Sequence, residues 1–393
     1  MGSIKVAVLA DMLEERWPSM DLVAEMLVEH LRTEHGGSIE PVLIRPPLRP
    51  RATRLAGIRD LRAAFTADRF ANRLWDYPAV TRGIARSFDV FHVVDHSYAH
   101  LVHTLPAART LVTCHDLDTF RSILEPGHDR RSVIFRAMTR RIFSGLQSAG
   151  HIACDTEATR EALVTRGGIE SGRTSVVLNG PHPSCAPAAE PAADVEAARL
   201  LGPAGRRTEI LHVGSTIARK RIDVLLHVLA AVRQQRPDAR LVRVGGPFTG
   251  EQRALVRGLG LEEAIVVLPF LDRSTLAAVY RRSTVVLLPS EREGFGLPVL
   301  EALACGTAVV ASDIDALREV GGDAVRYCPP EDVEAWTAAV MRVLGERDGD
   351  DGAWSARRGA GLARAASFSW SRYTTEVVAL YRRLAAAGGP APA

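Results

Sequence analysis

The residues best suited to chemistry cluster in one stretch, Ser290 to Gly306, where Glu293 and Glu301 stand with seven residues between them around Gly294-Phe295-Gly296-Leu297-Pro298. A carboxylate only accepts hydrogen bonds, and its two oxygens match the two hydroxyls of a vicinal diol. Pro298 suits the first position of a helix, where a missing N–H costs nothing. Gly306 suits the C′ position, which favours positive φ. A helix starting there turns the amides of Phe295, Gly296 and Leu297 outward, and such an end attracts an anion. Gly294 and Gly296 let the backbone come close to that anion. A phosphate seat between two diol-binding groups describes a sugar–diphosphate–ribose ligand. In isolation, Glu301 would merely complement the helix dipole and Glu293 would be a solvated loop residue.

Two further groups carry charge to matching places. Arg219-Lys220-Arg221 precede a helix through Leu225, Val228 and Leu229. Cations at a helix N-terminus oppose the macrodipole and become favourable when an anion lies between them and the helix end. His96 and His100 follow the apolar run Phe88–Asp95, and His115-Asp116 end the run that starts at Arg109. Polar groups at the carboxyl ends of parallel strands point into a ligand crevice. A lone histidine in an apolar run is more often a satisfied core residue, but three at two strand ends weaken that explanation. Their spacing does not describe a metal site, and none is expected.

Positioning these groups requires strands before each and helices after. Thr284–Pro289 and Thr307–Ser312 are short β-branched runs flanking the glutamate stretch, and similar runs begin at Ile4, Ile39, Thr174, Glu209, Ala239, Ala264 and Asp323. Helical periods fall between them, which predicts an α/β chain with two doubly wound parallel sheets. The expected domains are residues 1–185 and 205–370, joined by a proline- and alanine-rich connection, with a last helix at about 371–385. A helix is predicted over Asp21–Leu31 with Ser19 as its cap, and another, basic and amphipathic, over Arg130–Leu146. Between Met12 and Met20, Trp17 could stack on an acceptor or pack on its own domain. Arg45, Arg49, Arg51, Arg54, Arg59 and Arg62 form a basic stretch with Asp60 as its only acid. That stretch is either a solvated, partly flexible surface or a dock for an anionic acceptor or the inner face of a membrane.

Composition narrows the classes. At 393 residues, two cores are expected. A net charge of +3 argues against nucleic-acid binding. No run of eighteen apolar residues is present. The N-terminal Met-Gly-Ser leads straight into a strand, which leaves no room for a signal peptide. The five cysteines lack metal-ligand spacing and read as reduced core residues of a cytoplasmic protein.

Glu293 and Glu301 around Gly-Phe-Gly-Leu-Pro resemble the signature of the family 4 retaining glycosyltransferases, specifically from about residue 209 to 330. The resemblance implies the GT-B arrangement, two Rossmann-like domains facing across a cleft, with the terminal helix crossing back to the first. It implies a UDP- or GDP-hexose donor, an alcohol acceptor such as a saccharide, lipid-linked glycan or natural product, and transfer without cofactor or metal. Lys220, with Arg219, would hold the nucleotide phosphates. Pro269, Phe270 and Leu271 would lie against the nucleobase, and His115, in His-Asp-Leu, beside the donor sugar. Glu301 is then assigned to the ribose and Glu293 to the transferred sugar. Lys220, Glu293 and His115 form the catalytic set. Trp17, His96, His100 and Asp116 are acceptor-side candidates. The chain departs from the pattern in the first loop, where Glu14-Glu15-Arg16 replaces paired glycines, and at Ser215, where an arginine is usual.

Other classes stay in view. A dehydrogenase would need G-x-G-x-x-G after the first strand, and a P-loop ATPase would need G-K-[ST]; both motifs are missing. A sugar-nucleotide epimerase of the same shape, or a non-catalytic subunit that binds donor, remains an alternative.

Overall fold

The computed structural model describes residues 3–55, 61–125, 127, 131–203, 205, 207–349 and 352–387. Arg59, Asp60 and Arg130, named above, lie outside them, as do residues 388–393. The chain divides into two compact units, residues 1–179 with 370–393 and residues 180–369.

The first unit holds a parallel sheet of β1 (Ile4–Leu9), β2 (Ile39–Ile44), β3 (Val90–Val93), β4 (Thr110–Cys114), β5 (His151–Cys154) and β6 (Thr174–Val176) in the order β2-β1-β3-β4-β5-β6. β3, β4 and β5 are buried throughout, as strands covered on both faces must be. The chain leaves β1 for β2 on one side and returns to β3 on the other, so the strand order reverses between β1 and β3. Ligands of such sheets sit outside the carboxyl ends at that reversal.

The second unit repeats the plan with β7 (Glu209–Val213), β8 (Arg240–Val244), β9 (Ile265–Leu268), β10 (Val285–Leu288), β11 (Ala308–Ser312) and β12 (Arg326–Cys328). Their order is β12-β11-β10-β7-β8-β9, with the reversal between β7 and β10. Its core includes Ile210, Leu226, Val285, Val310 and the fully buried Trp336, whose indole donates to the Pro329 carbonyl at 2.9 Å.

Several elements differ from the sequence expectation. The first helix runs Pro18–His35 with Trp17 as its cap, because Pro18 presets the helical φ; Ser19 lies inside it. Residues 45–55 of the basic stretch are tied down rather than loose. Arg45 pairs with Asp21 at 3.1 Å, Arg51 forks onto Asp76 at 2.7 and 2.8 Å, and Asp68 accepts the amides of Arg51, Ala52 and Thr53. Helices Leu61–Ala71, Tyr77–Ile84 and Ala353–Ala365 were not foreseen. The basic helix begins at Val133, where the Ser132 hydroxyl accepts from the Phe135 amide. Among the described residues no helix is long and apolar enough to cross a membrane.

Candidate functional site

At the strand-order reversal of the second sheet, the loop after β10 meets the turn after β7. The helix Leu297–Ala304 starts one residue earlier than expected, capped by Gly296 at φ 93°. That φ demands glycine, and a Cβ there would also stand 2.4 Å from Leu317 Cδ2, which would have to move. Glu293 projects from this loop with its side chain 7% exposed and accepts from Lys220 Nζ at 2.5 Å and Arg219 Nη1 at 3.3 Å. Burial pushes the Glu293 carboxyl pKa up, but Lys220 and Arg219 outweigh it and hold it below the usual range. Lys220 is itself only 8% exposed, so its charge is spent inward on Glu293 rather than reaching out to solvent. Arg219 Nη1 also donates to the Arg292 carbonyl at 2.7 Å, which clamps the two loops together. Arg221, beside them, adopts φ 46°, a left-handed conformation that a non-glycine residue rarely takes.

Two buried residues underlie this pair. Arg243 of β8 is fully buried; it donates to the carbonyls of Gly246 and Gly214, the latter at 2.9 Å, and among the described residues no carboxylate pairs with it. Burial pushes its pKa down to about 10. Gly245 makes this contact between strand ends fit, since a Cβ would sit 2.2 Å from the Gly214 carbonyl oxygen. His212 of β7 is held neutral, at about 3, by burial and by the charges of Arg243 and Lys220. Farther along the helix, half-buried Glu301 accepts from the Tyr280 hydroxyl at 2.9 Å, and burial of its carboxyl raises the pKa to about 7 against that bond. Pro269 and Phe270 follow β9 and are exposed, Phe270 by 60%, while Leu271 is half-buried. Phe295 is packed edge-on against Phe368, and Gly294 is buried beside it.

At the reversal of the first sheet, His115 follows β4 with both ring nitrogens engaged, Nδ1 with Asp155 at 2.7 Å and Nε2 with the Val94 carbonyl at 2.7 Å. Burial lowers its pKa, but Asp155 more than offsets this and lifts it to about 9, so the ring is an imidazolium at neutral pH. Asp155 serves His115, and the Thr156 hydroxyl caps the following helix, Glu157–Thr165, by accepting from the Thr159 amide. His96 accepts the His115 amide at Nδ1 (3.2 Å) and faces Asp116 at 3.6 Å. His100 is buried and bonded to the Arg73 carbonyl at 2.7 Å. Trp17 is 49% exposed. Asp11, after β1, and Asp95, after β3, are both buried and electrically coupled. Burial and the Asp95 charge push Asp11 well up, while His96, His115 and Ser97 hold Asp95 down against its own burial.

The chain matches two family descriptions, "Glycosyltransferase Family 4" over residues 23–184 and "Glycosyl transferases group 1" over residues 198–354. It belongs to glycosyltransferase family 4. It is 32% identical over 261 residues to a D-inositol 3-phosphate glycosyltransferase from Kineococcus radiotolerans, covering 61% of this chain and 58% of the relative. A match of 38% to an Escherichia coli O-antigen chain mannosyltransferase B covers 30% of each. The chain spans about half the length of the curated relatives it matches. Over nearly the whole chain its fold is that of sucrose-phosphate synthase from Thermosynechococcus elongatus, with TM-score 0.72, 22% identity and coverage of 98% and 100%. It is likewise that of Anabaena HepE in complex with UDP-glucose, with TM-score 0.70, 16% identity and coverage of 97% and 100%. The fold is therefore GT-B.

In this family 4 chain, sequence reasoning overlooked His212, Arg243, Tyr280, Asp155, Asp11, Asp95 and Glu15. A histidine in Ile-Leu-His-Val and an arginine in Leu-Val-Arg-Val are charges inside buried strands, a signal legible in the sequence. The Asp155 partnership spans forty positions and carries no local signal.

Proposed function

We propose that this chain is a retaining hexosyltransferase that moves a hexosyl group from a UDP- or GDP-hexose to an alcohol. One observation carries the reading: Arg219, Lys220 and buried Arg243 gather with Glu293 around the turn after β7 and the loop that leads into the helix Leu297–Ala304. Such an excess of buried positive charge next to helix amides suits a diphosphate. Support for the donor class comes from a protein of the same fold, Anabaena HepE, in complex with UDP-glucose.

In this reading, Glu301 accepts from the ribose diol, Pro269, Phe270 and Leu271 face the nucleobase, and Glu293 accepts from hydroxyls of the transferred sugar. The acceptor oxygen attacks the anomeric carbon on the face the nucleotide leaves. The anomeric C–O bond to phosphate breaks, the new glycosidic bond forms, and the departing phosphate takes the acceptor proton. Lys220, Arg219 and the backbone of residues 294–297 stabilise the charge growing on the diphosphate. Those cations make a metal unnecessary, so transfer should survive a chelator. A membrane dock on the basic stretch has less behind it, because Arg45 and Arg51 are already paired with acids.

The test is ligand-dependent thermal stabilisation over a panel of nucleoside diphosphates and nucleotide sugars, with and without EDTA. A shift with UDP or GDP and their hexoses, unchanged by EDTA, is expected. No shift with any of them would sink the proposal.

A further inference from the structure

Three consecutive cations, Arg219, Lys220 and Arg221, do not face the same way. Arg219 and Lys220 turn to Glu293. Arg221 turns to three other carboxylates. It forks onto Asp223, with Nε to Oδ1 at 3.0 Å and Nη2 to Oδ2 at 2.8 Å. Its Nη1 donates to Glu331 Oε1 at 3.0 Å and to Glu291 Oε1 at 3.4 Å. The acids belong to three segments: Asp223 to the first turn of the helix Ile222–Gln235, Glu291 to the loop after β10, and Glu331 to the loop after β12. One guanidinium, on a side chain only 16% exposed, thereby joins the turn after β7 to both loops. A backbone bond runs beside it, from the Glu291 amide to the Arg219 carbonyl at 2.8 Å.

The backbone at this position favours a different residue. Arg221 has φ 46° and ψ 52°, where its Cβ crowds the carbonyl and glycine would sit without strain. It joins the short turn Ala218–Lys220, which presents Arg219 and Lys220, to the helix Ile222–Gln235, and its carbonyl accepts the Leu225 amide at 3.2 Å. What arginine adds over glycine is therefore its side chain. A single exposed ion pair would not offset the strain, but a mostly covered guanidinium shared by three carboxylates forms a network. We propose that Arg221 is a positioning residue for the nucleotide-sugar seat: it latches the turn 218–220 to the loop 290–293 and so keeps Arg219 and Lys220 in place before the donor arrives. Its own charge is matched by acids outside the seat, so it does not touch the phosphates. The proposal rests on the nucleotide-sugar reading of this seat and adds the residue that holds it open for ligand. Without the latch, fewer chains have the seat formed at any moment, and apparent affinity falls by that fraction. Once bound, the donor itself holds the two loops together.

Calorimetric titration of UDP and GDP, beside steady-state kinetics with a nucleotide-hexose donor, tests this on the full chain, on Arg221→Gly and on Glu291→Gln/Glu331→Gln. Arg221→Gly removes the guanidinium and the strain together, so its melting temperature should stay near that of the wild type. Its nucleotide Kd and donor KM should rise together by about tenfold, with kcat changed by less than about twofold. Glu291→Gln/Glu331→Gln leaves the backbone as it is and should raise both constants a few-fold. Combined with Arg221→Gly it should add nothing further, since the latch is already gone. Three results would each overturn the proposal. Arg221→Gly could bind nucleotide as tightly as the wild type. Its kcat could fall as far as its KM rises, which would make Arg221 part of the reacting site. The acid variant could bind like the wild type, which would mean that the guanidinium acts on the phosphates directly; this arm decides alone where Arg221→Gly unfolds. Failure of the wild-type chain to bind either nucleotide would instead overturn the nucleotide-sugar reading of the seat.

Discussion

At the reversal of the second sheet, Glu293 meets Lys220 and Arg219, and buried Arg243 on β8 donates to backbone carbonyls; at the reversal of the first, Glu15 meets Arg73 and Arg69, and Asp95 lies beside the His115 imidazolium, with Asp11 pushed toward its neutral form. Both places are the same topological feature of a doubly wound parallel sheet, and the backbone offers a ligand crevice at each. The difference lies in what the loops bring. After β7 and β10 come a cationic turn and a glycine-capped helix, a setting for phosphate. After β1 and β3 come acids and histidines that pair with arginines and with one another. The fold supplies the same crevice twice, and the loops fill it with differently paired charges.

Removing Lys220 should disturb the cation-rich seat most. A lysine reaching solvent-side phosphates would contribute little to a core. In the structure Lys220 is buried on Glu293, and deleting one member of a buried pair costs about 3–5 kcal/mol. With Arg219 still near, a loss of about 3 kcal/mol in urea unfolding is expected. The double variant Lys220→Met/Glu293→Gln should recover much of it. Additive losses would show that the two side chains do not depend on each other.

Asp155→Asn probes the histidine at the reversal of the first sheet. His115 titrates at about 9, above its usual 6.5. A raised histidine pKa contributes stability that is fully present below pH 6.5 and is lost as pH rises through about 9. The variant should lower the His115 midpoint from about 9, read by NMR, and flatten stability across that window. An unmoved midpoint would separate Asp155 from the charge on the ring.

The smallest expected effect belongs to Tyr280→Phe. Glu301 titrates at about 7, and in the proposed reading it must be ionised to accept from both ribose hydroxyls, so nucleotide affinity should rise with pH through 7. Loss of the Tyr280 hydroxyl, which bonds Glu301 at 2.9 Å, should move that midpoint upward and weaken binding a few-fold at pH 7. A flat pH profile in the wild-type chain would remove Glu301 from the ribose.

The fold class was legible because apolar strand runs alternate with helical periods, and the glutamate stretch because glycines, proline and flanking strands agree. The region 61–84 was not legible, since arginines among its apolar residues obscure helices that Asp68 and Asn72 tie to the preceding loop. At the candidate sites the residue types could be read but not their pairing. Glu15 looks like a polar loop residue, and nothing local shows that its carboxylate is covered. Lys220 looks like a free cation, and its partner lies 73 positions away. The assignment of His115 to the transferred sugar rests on family resemblance alone.

The central claim, that the cation-rich seat binds the donor with a division of labour between its two glutamates, is tested most directly by titrating UDP and GDP calorimetrically into the wild-type chain, Glu293→Ala and Glu301→Ala, beside transfer kinetics. Glu301→Ala should weaken free nucleotide by more than about tenfold, the cost of a charge-assisted hydrogen bond. Glu293→Ala should bind nucleotide as well as the wild type or better, because Lys220 is released toward the phosphates, while turnover falls by more than about tenfold. If folded Glu293→Ala loses nucleotide as severely as folded Glu301→Ala, the claim is contradicted.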